Sequence, residues 1–306
     1  MQHIFIINPN AGKADQTENI TKAVQQLYAN HEFEGTYIIE RTNSREETIN
    51  IAKKYAESGK EVVLYACGGD GTLNDVLNGS IGHNNVALTH LPTGTGNDFI
   101  KYFGIDAKEN FANLKELING KVIDVDVIKI GEHYSLNLTN VGLDAVIAQN
   151  VSKFKKIPFI KGKTAYKLSI AYSFFTSTKH YMDIIIDGNK EEENCYTIAV
   201  FANSKYYGGS YYASPFSDIQ DGLMDVILLP KLSRLGILKI LPVYEKGKHL
   251  EEKYKDIVRY KQAKRVEMKT KEPIALCLDG EIITMKDPII EVCEKKIKIL
   301  VPQKYL

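Results

Sequence analysis

The apolar run Val62-Val63-Leu64-Tyr65-Ala66 leads straight into Cys67-Gly68-Gly69-Asp70-Gly71-Thr72-Leu73-Asn74-Asp75, and this junction constrains the fold more than any other stretch. Glycine lets a backbone take positive φ or come close to a ligand. Leu73, Val76 and Leu77 then recur at helical spacing, so the pattern reads strand, tight turn, helix. A helix that starts directly after such a turn offers unpaired backbone N–H groups to an anion. The junction predicts a phosphate site, with Asp70 placed to hold a cation or a water beside it.

The segments around it repeat the theme. Ile4 to Ile7 form a continuous apolar run, as in a strand buried on both faces, and end at the turn Asn8-Pro9-Asn10-Ala11-Gly12-Lys13. Asp15 with Glu18 predicts a capping box for a helix burying Ile20, Val24, Leu27 and Tyr28. Lys13 stands at the bend. A lysine near a helix start is ordinarily a solvated charge, and the segment lacks the Gly-Lys-Ser/Thr ending of a phosphate loop. A second strand, Tyr37-Ile38-Ile39, leads to Thr42, and Ser44 with Glu47 predicts another capping box. The strand Val86-Ala87-Leu88 runs into a second Gly/Thr turn, Leu91-Pro92-Thr93-Gly94-Thr95-Gly96-Asn97-Asp98-Phe99. Alternating strands and helices at this spacing predict a doubly wound α/β nucleotide-binding domain over residues 1–127. Ligands in such domains sit at the carboxyl ends of the strands, where all four turns fall.

The pattern then changes. Val122-Ile123-Asp124-Val125-Asp126-Val127-Ile128 alternates, which predicts a half-exposed strand with Asp124 and Asp126 on one face. Two such carboxylates are either solvated charges or a magnesium-side pair. Strand-like runs follow at Tyr134–Val141, Met182–Ile186, Tyr196–Ala202, Met224–Leu229, Ile257–Tyr260, Val266–Met268, Ile274–Leu278, Ile289–Cys293 and Ile297–Val301. Their number and short turns predict an antiparallel β-sandwich-like domain over 128–295, with a terminal segment 296–306. Residues 151–163 set five lysines, Lys153, Lys155, Lys156, Lys161 and Lys163, among two Phe and two Ile. That mixture suits either a solvated loop or a surface that meets anionic headgroups.

Composition sets limits. Thirty-nine basic against 38 acidic residues give +1, so nothing global argues for nucleic acid, and attraction to anions must be local. Cys67, Cys195, Cys277 and Cys293 are scattered, without the spacing of a zinc module or a disulfide framework, so a reduced, cytoplasmic setting is expected. The first residues show no basic leader, and no window approaches the ~18 apolar residues of a membrane span. A lipid substrate would be met by transient peripheral contact with the membrane.

Gly68-Gly69-Asp70-Gly71-Thr72-Leu73-Asn74 followed by Leu91-Pro92-Thr93-Gly94-Thr95-Gly96-Asn97-Asp98-Phe99 resembles the diacylglycerol kinase catalytic-domain family, bacterial lipid kinases related to sphingosine kinases. Asn8-Pro9 and Leu278-Asp279-Gly280-Glu281 match the same pattern, so the resemblance covers nearly the whole chain. The glycine turn is shared with NAD kinases; the second turn singles out the lipid-kinase branch. The resemblance implies ATP as donor, Mg2+, and a nucleotide site at Asn8, Pro9, Asn10, Ala11, Gly12, Lys13, Thr42, Gly68, Gly69, Asp70, Gly71, Thr72, Leu73, Asn74 and Thr95. It brings Asp124, but not Asp126, into the active site beside Asp70. It makes Glu281 the general base, although Asp-Gly between apolar runs is locally an ordinary hairpin turn. It implies a structural magnesium held by Asp221 with Asp218 and Leu223 beside it, where the residues alone read as a turn. It also implies that the last strand, Ile297–Val301, returns to the first domain.

These readings converge on ATP-dependent phosphorylation of a hydroxyl on diacylglycerol or a related lipid, with the acceptor expected in the cleft between domains. A NAD kinase-like enzyme and a non-catalytic lipid- or nucleotide-binding regulator are the alternatives. The terminal Asp-Gly-Glu argues against the first, and intact Asp70, Asp98, Asp124 and Glu281 argue against the second. The sequence is compatible with a homo-oligomer and does not name the acceptor lipid.

Overall fold

The computed structural model describes residues 1–305 except 33, 105, 155, 156, 158–162 and 210, and only the backbone at 152, 163, 165 and 166. Most of the lysine segment read above, including Lys155, Lys156 and Lys161, therefore lies outside the described residues. The chain divides into two compact units, Met1–Val127 with Cys293–Leu306, and Ile128–Val292.

In the first unit the strands are β1 (Gln2–Ile7), β2 (Thr36–Arg41), β3 (Val62–Gly68) and β4 (Val86–Pro92). They alternate with α1 (Thr17–Ala29), α2 (Arg45–Ala56) and α3 (Asp70–Ser80); α4 (Ala107–Ala112), α5 (Leu114–Ile118) and β5 (Lys121–Ile130) follow. All pairings from β2 through β1 and β3 to β4 are parallel. Every residue of β3 and β4 is buried, which is why β3 reads as an unbroken apolar run and β4 as one interrupted only by the buried polar pair Thr89 and His90. From β1 the chain steps outward to β2 and then returns to add β3 on the other side, so the sheet changes direction between β1 and β3. The crevice beyond the carboxyl ends of those two strands is where open α/β sheets bind ligands.

The second unit contains β6 (His133–Ser135), β7 (Leu138–Gly142), α6 (Leu143–Phe154), α7 (Lys163–Thr176), β8 (His180–Tyr181), β9 (Asp183–Ile186) and β10 (Asn189–Lys190). Then come β11 (Cys195–Ala202), β12 (Met224–Pro230), α8 (Arg234–Glu245), β13 (Arg259–Ala263), β14 (Arg265–Lys269), β15 (Ile274–Leu278), β16 (Glu281–Met285) and β17 (Ile289–Val301). One sheet runs β13-β12-β11-β7-β15-β16 with every pairing antiparallel. The other pairs β10, β9, β14 and the first residues of β17, again antiparallel. Tyr196, Phe201, Met224, Val226 and Leu228 face Ile184, Val266, Met268 and Ile290 in the sandwich core. The alternate residues Ile198, Val200, Ile227 and Leu229 face outward to Ile237, Ile240 and Tyr244 of α8. A register shift between Tyr196 and Ile198 keeps Tyr196 on the sandwich side.

Four local readings are corrected. Helix α1 starts at Thr17 behind Gln16, and Asp15 instead accepts from the Thr17 N–H and hydroxyl, so there is no Asp15–Glu18 capping box. Tyr134–Val141 is two strands separated at Leu136 and Asn137. Ile289–Cys293 and Ile297–Val301 are one strand, β17, whose end pairs in parallel with β4 at Lys298 and Ile299. Asp126 is not on an exposed face: it is fully buried, and its carboxylate accepts from the Lys295 N–H at 2.6 Å, while Asp124 is exposed. The Ser44 cap does form, with its hydroxyl accepting from Glu47 N at 3.2 Å and the Glu47 carboxylate reaching back to Asn43 N at 2.7 Å.

Candidate active site

Three turns of the first unit are locked together at the ends of β1, β3 and β4. The Asn8 N–H donates to Cys67 O at 3.0 Å, joining the turn after β1 to the end of β3. The Asn8 side-chain amide donates to Thr72 Oγ1 at 3.0 Å, and its own oxygen accepts from Asn10 N. Gly68 O accepts from the N–H groups of Thr93 and Gly94 at 2.9 and 3.0 Å, so the two glycine turns are bonded backbone to backbone. They touch so closely that a Cβ on Gly94 would lie 2.5 Å from Gly69 Cα. A side chain there would wedge the two turns apart.

Asp70 opens α3, whose N-cap, Gly69, has no side-chain hydrogen bond to the first turn. This helix start is the place where the sequence reading expects a phosphate. Asp70 Oδ1 accepts from the Asp98 N–H at 2.5 Å, which fixes the carboxylate against the second turn. Asp98 itself is buried and paired with Lys101 at 2.5 Å. Asn97 takes φ +52° and donates to Gly94 O at 2.7 Å, closing that turn on itself. Of the predicted nucleotide residues, Asn10, Gly12, Lys13 and Thr95 are exposed at these turns, while Thr72, Leu73 and Asn74 are buried beneath them. Thr42 is also buried, its N–H donating to Ile7 O at 2.9 Å.

His90, on β4 behind the turns, carries no signal in the sequence beyond its place in an apolar strand. Complete burial lowers its pKa to about 4, and the neutral ring meets Gly68 O at 3.1 Å. Arg45 at the start of α2 pairs with Asp75 of α3 at 2.8 Å, a second contact that spacing alone does not reveal.

In the second unit the Asp-Gly-Glu motif forms a two-residue turn between β15 and β16, with Asp279 at φ +46° and Gly280 at φ +93°. Asp279 is an anchor. Its Oδ1 accepts from Ser135 Oγ at 2.7 Å and from the N–H groups of Asn137 and Leu138 at 3.1 Å, and its Oδ2 from Leu136 N at 2.8 Å. Glu281, two residues on, is half-buried at the start of β16. Cys277 feels the charges of Asp144, Asp279 and Glu281, although burial is the main reason its thiol rises to about 12. Asp144, in the first turn of α6, was not read from the sequence, where it looks like an ordinary helix-start acid. Burial raises its pKa to about 6, and the Tyr207 hydroxyl donates to it.

Asp218 and Asp221 lie in a turn before β12, their Oδ1 atoms accepting from Gln220 N at 3.0 Å and Leu223 N at 2.9 Å. Two carboxylates with neighbouring backbone oxygens are the hard-oxygen donor set that Mg2+ takes. Among the described residues, three or more His, Cys, Asp or Glu side chains nowhere gather as a metal cluster, and no helix is long and apolar enough to cross a membrane.

A family model of the diacylglycerol kinase catalytic domain matches residues 2–130. One of the YegS C-terminal NAD kinase beta sandwich-like domain matches residues 137–301. The diacylglycerol kinase of Bacillus subtilis strain 168 is 25% identical over 279 residues, 90% of this chain and 88% of that one. A Staphylococcus aureus strain MRSA252 protein named as a lipid kinase is 31% identical over 257 residues, 81% of this chain and 79% of its own. The crystal structure of a Bacillus anthracis diacylglycerol kinase shares the fold with a TM-score of 0.74 at 21% identity, covering all of this chain and 98% of that one. With both halves matched and the two glycine turns joined at the strand ends, the chain belongs to the diacylglycerol kinase catalytic-domain family, a family of lipid kinases.

Proposed function

We propose that the protein transfers the γ-phosphoryl group of ATP to a hydroxyl of diacylglycerol or a related lipid. The observation that carries this reading is the joined pair of glycine turns, with the Asp70 carboxylate held on the Asp98 N–H at the start of α3. Phosphoryl transfer asks the protein for alignment, charge neutralisation and a proton acceptor rather than covalent chemistry. Gly68 to Thr72 and Thr95 cradle the phosphates, Asn8 to Lys13 and Thr42 border them, and Leu73 with Asn74 braces the turn from below. Asp70 and Asp124 hold the cation side of the nucleotide. Mg2+, when bound with the nucleotide, offsets the phosphate charge. Glu281 takes the proton of the acceptor hydroxyl as its oxygen bonds to the γ-phosphorus; the bridging β–γ bond breaks and ADP leaves. Asp218 and Asp221, with the backbone at Leu223, would hold a second, structural Mg2+. The work is done at the membrane surface, where the lipid is.

Radiolabelled ATP with a panel of lipids in mixed micelles tests the reading. Label is expected in a phospholipid, and Glu281→Gln is expected to lower kcat by about a hundredfold or more, the usual weight of a general base. Label in no lipid, or label in NAD in a parallel incubation, would overturn the lipid assignment. A Glu281→Gln variant at wild-type rate would remove Glu281 as the base.

A further inference from the structure

The residues that follow β17 pack against the turn that carries Asp98. Phe99–Phe103 form a single 3₁₀ turn with Asp98 as its N-cap. At the front of this turn the Asp98 N–H donates to Asp70 Oδ1 at 2.5 Å, and the Lys101 N–H donates to Asp98 O at 3.2 Å. Behind it Gly104 turns the chain at φ +117°. A 3₁₀ turn this short has poor hydrogen-bond geometry, and a glycine beyond it lets the chain pivot. Its orientation therefore has to come from packing.

That packing is aromatic. Phe99 is buried and meets Phe103 edge to face, with 5.9 Å between ring centres. Phe103 lies 5.4 Å from Phe111 of α4 and 5.4 Å from Tyr305. Tyr305 stacks on Phe111 at 6.0 Å with 22° between the planes, so the three rings close on one another. Ring pairs at such separations have preferred angles, which an aliphatic side chain would not impose. The Tyr305 ring is itself pinned. Its Oη accepts from the Asn110 side-chain amide at 2.7 Å, its N–H donates to Pro302 O at 3.1 Å, and Lys304 beside it pairs with Asp106 at 2.5 Å. Just before it, Leu300 O accepts from Thr89 Oγ1 of β4 at 2.7 Å, and β4 is the strand that runs into the second glycine turn. Residues 300–305 thus brace that turn from the strand before it and from the 3₁₀ turn after it. At ~2 Å per residue the 3₁₀ turn is only about 10 Å long, so a shift at Phe103 passes to the Asp98 N–H with little loss.

We propose that Tyr305 is a positioning residue for phosphoryl transfer: by fixing Phe103 it keeps the Asp98 N–H on the Asp70 carboxylate. The inference rests on the lipid-kinase reading and adds to that site a support about 200 residues away in the chain, which touches no reacting group.

Amide hydrogen exchange, Mg2+–ATP titration and steady-state kinetics on the full chain test it. In Tyr305→Ala, exchange over residues 94–103 is expected to quicken while that of β1 and β3 is unchanged, and Mg2+–ATP binding to weaken. Its kcat is expected to fall at least about tenfold, toward the hundredfold that an ångström of misplacement costs, with the acceptor KM held within about threefold. Tyr305→Phe, which keeps the ring and gives up only the Asn110 bond, is expected to stay within about threefold of wild type throughout. Thermal melts report folding; should Tyr305→Ala not fold, Tyr305→Leu, with an apolar body but no flat ring, takes its place in the comparison. Wild-type exchange over 94–103 in the folded variant, an unchanged kcat, or a loss of protection spread evenly over β1, β3 and β4 would overturn the proposal. The exchange and the titration need no acceptor, so they judge Tyr305 even where wild type labels no lipid, a result that would count against the lipid-kinase reading alone.

Discussion

Asp279 offers the sharpest test of how the second unit is held together. Its carboxylate takes four donors: Ser135 Oγ at 2.7 Å, Leu136 N at 2.8 Å, and Asn137 N and Leu138 N at 3.1 Å. A hydrogen bond to a charged group contributes about 1.5–3 kcal/mol, and a buried donor left unpaired costs about 1–3 kcal/mol. The four share one carboxylate, so their contributions do not add, and water reaches some of the vacated donors. Asp279→Ala is therefore expected to cost about 4 kcal/mol, and the left-handed φ of +46° adds about 1 kcal/mol that aspartate and asparagine tolerate better. Asp279→Asn keeps one oxygen for the three Oδ1 donors and sets its NH2 against the Leu136 N–H, for a cost of about 2 kcal/mol. Urea unfolding followed by far-ultraviolet circular dichroism reads both. With a slope of about 2 kcal/mol per molar, Asp279→Asn lowers the midpoint by about 1 M and Asp279→Ala by more than twice that. Because Asp279 holds the hairpin without touching a reacting group, Asp279→Asn retains kcat within about tenfold, where Glu281→Gln does not. Equal cost for the two Asp279 variants, or a cost under about 0.5 kcal/mol for either, would refute the four-donor anchor.

Gly94→Ala places a Cβ 2.5 Å from Gly69 Cα; a loss of about 1–3 kcal/mol in stability with a larger loss in nucleotide affinity is expected, measured by thermal melts and ATP titration. His90 makes stability depend on pH: its pKa is about 4 folded and near 6.5 unfolded, so below pH 6.5 the unfolded chain binds the extra proton. Its share of stability is complete above pH 6.5 and falls by up to about 3 kcal/mol as pH drops to 4. His90→Asn should flatten that part of the urea-midpoint profile, and an unchanged slope would count against it. The two aspartates of β5 should separate: Asp126→Ala, which strips the acceptor from the Lys295 N–H, costs about 2 kcal/mol in urea, while exposed Asp124→Ala leaves the melt in place and lowers kcat.

The sequence by itself determined the elements whose cause is local. Strands β1, β3 and the first residues of β4 are legible because burial on both faces demands apolar runs, and the turns after them because glycine must stand where backbones meet. The Ser44 cap is legible because its partner, Glu47, is three residues away. Asp70 and the Gly94 turn are visible as short motifs, although the bonds that join them, Asp98 N–H to Asp70 and Gly94 N–H to Gly68 O, span more than 25 residues. Tertiary structure decided whatever depends on a partner distant in the chain. The run from Tyr134 to Val141 breaks at Leu136 because a carboxylate 143 residues later collects its N–H groups. The polar stretch Glu294-Lys295-Lys296 continues β17 rather than turning, because Asp126, 169 residues before Lys295, accepts its N–H. That pairing also separates Asp126 from Asp124, which alternation alone had placed together. Residues such as His90 and Asp144 acquire shifted protonation only from the atoms that close over them. Periodicity and turn chemistry travel with the sequence; burial, desolvation and long-range donors exist only once the chain has folded.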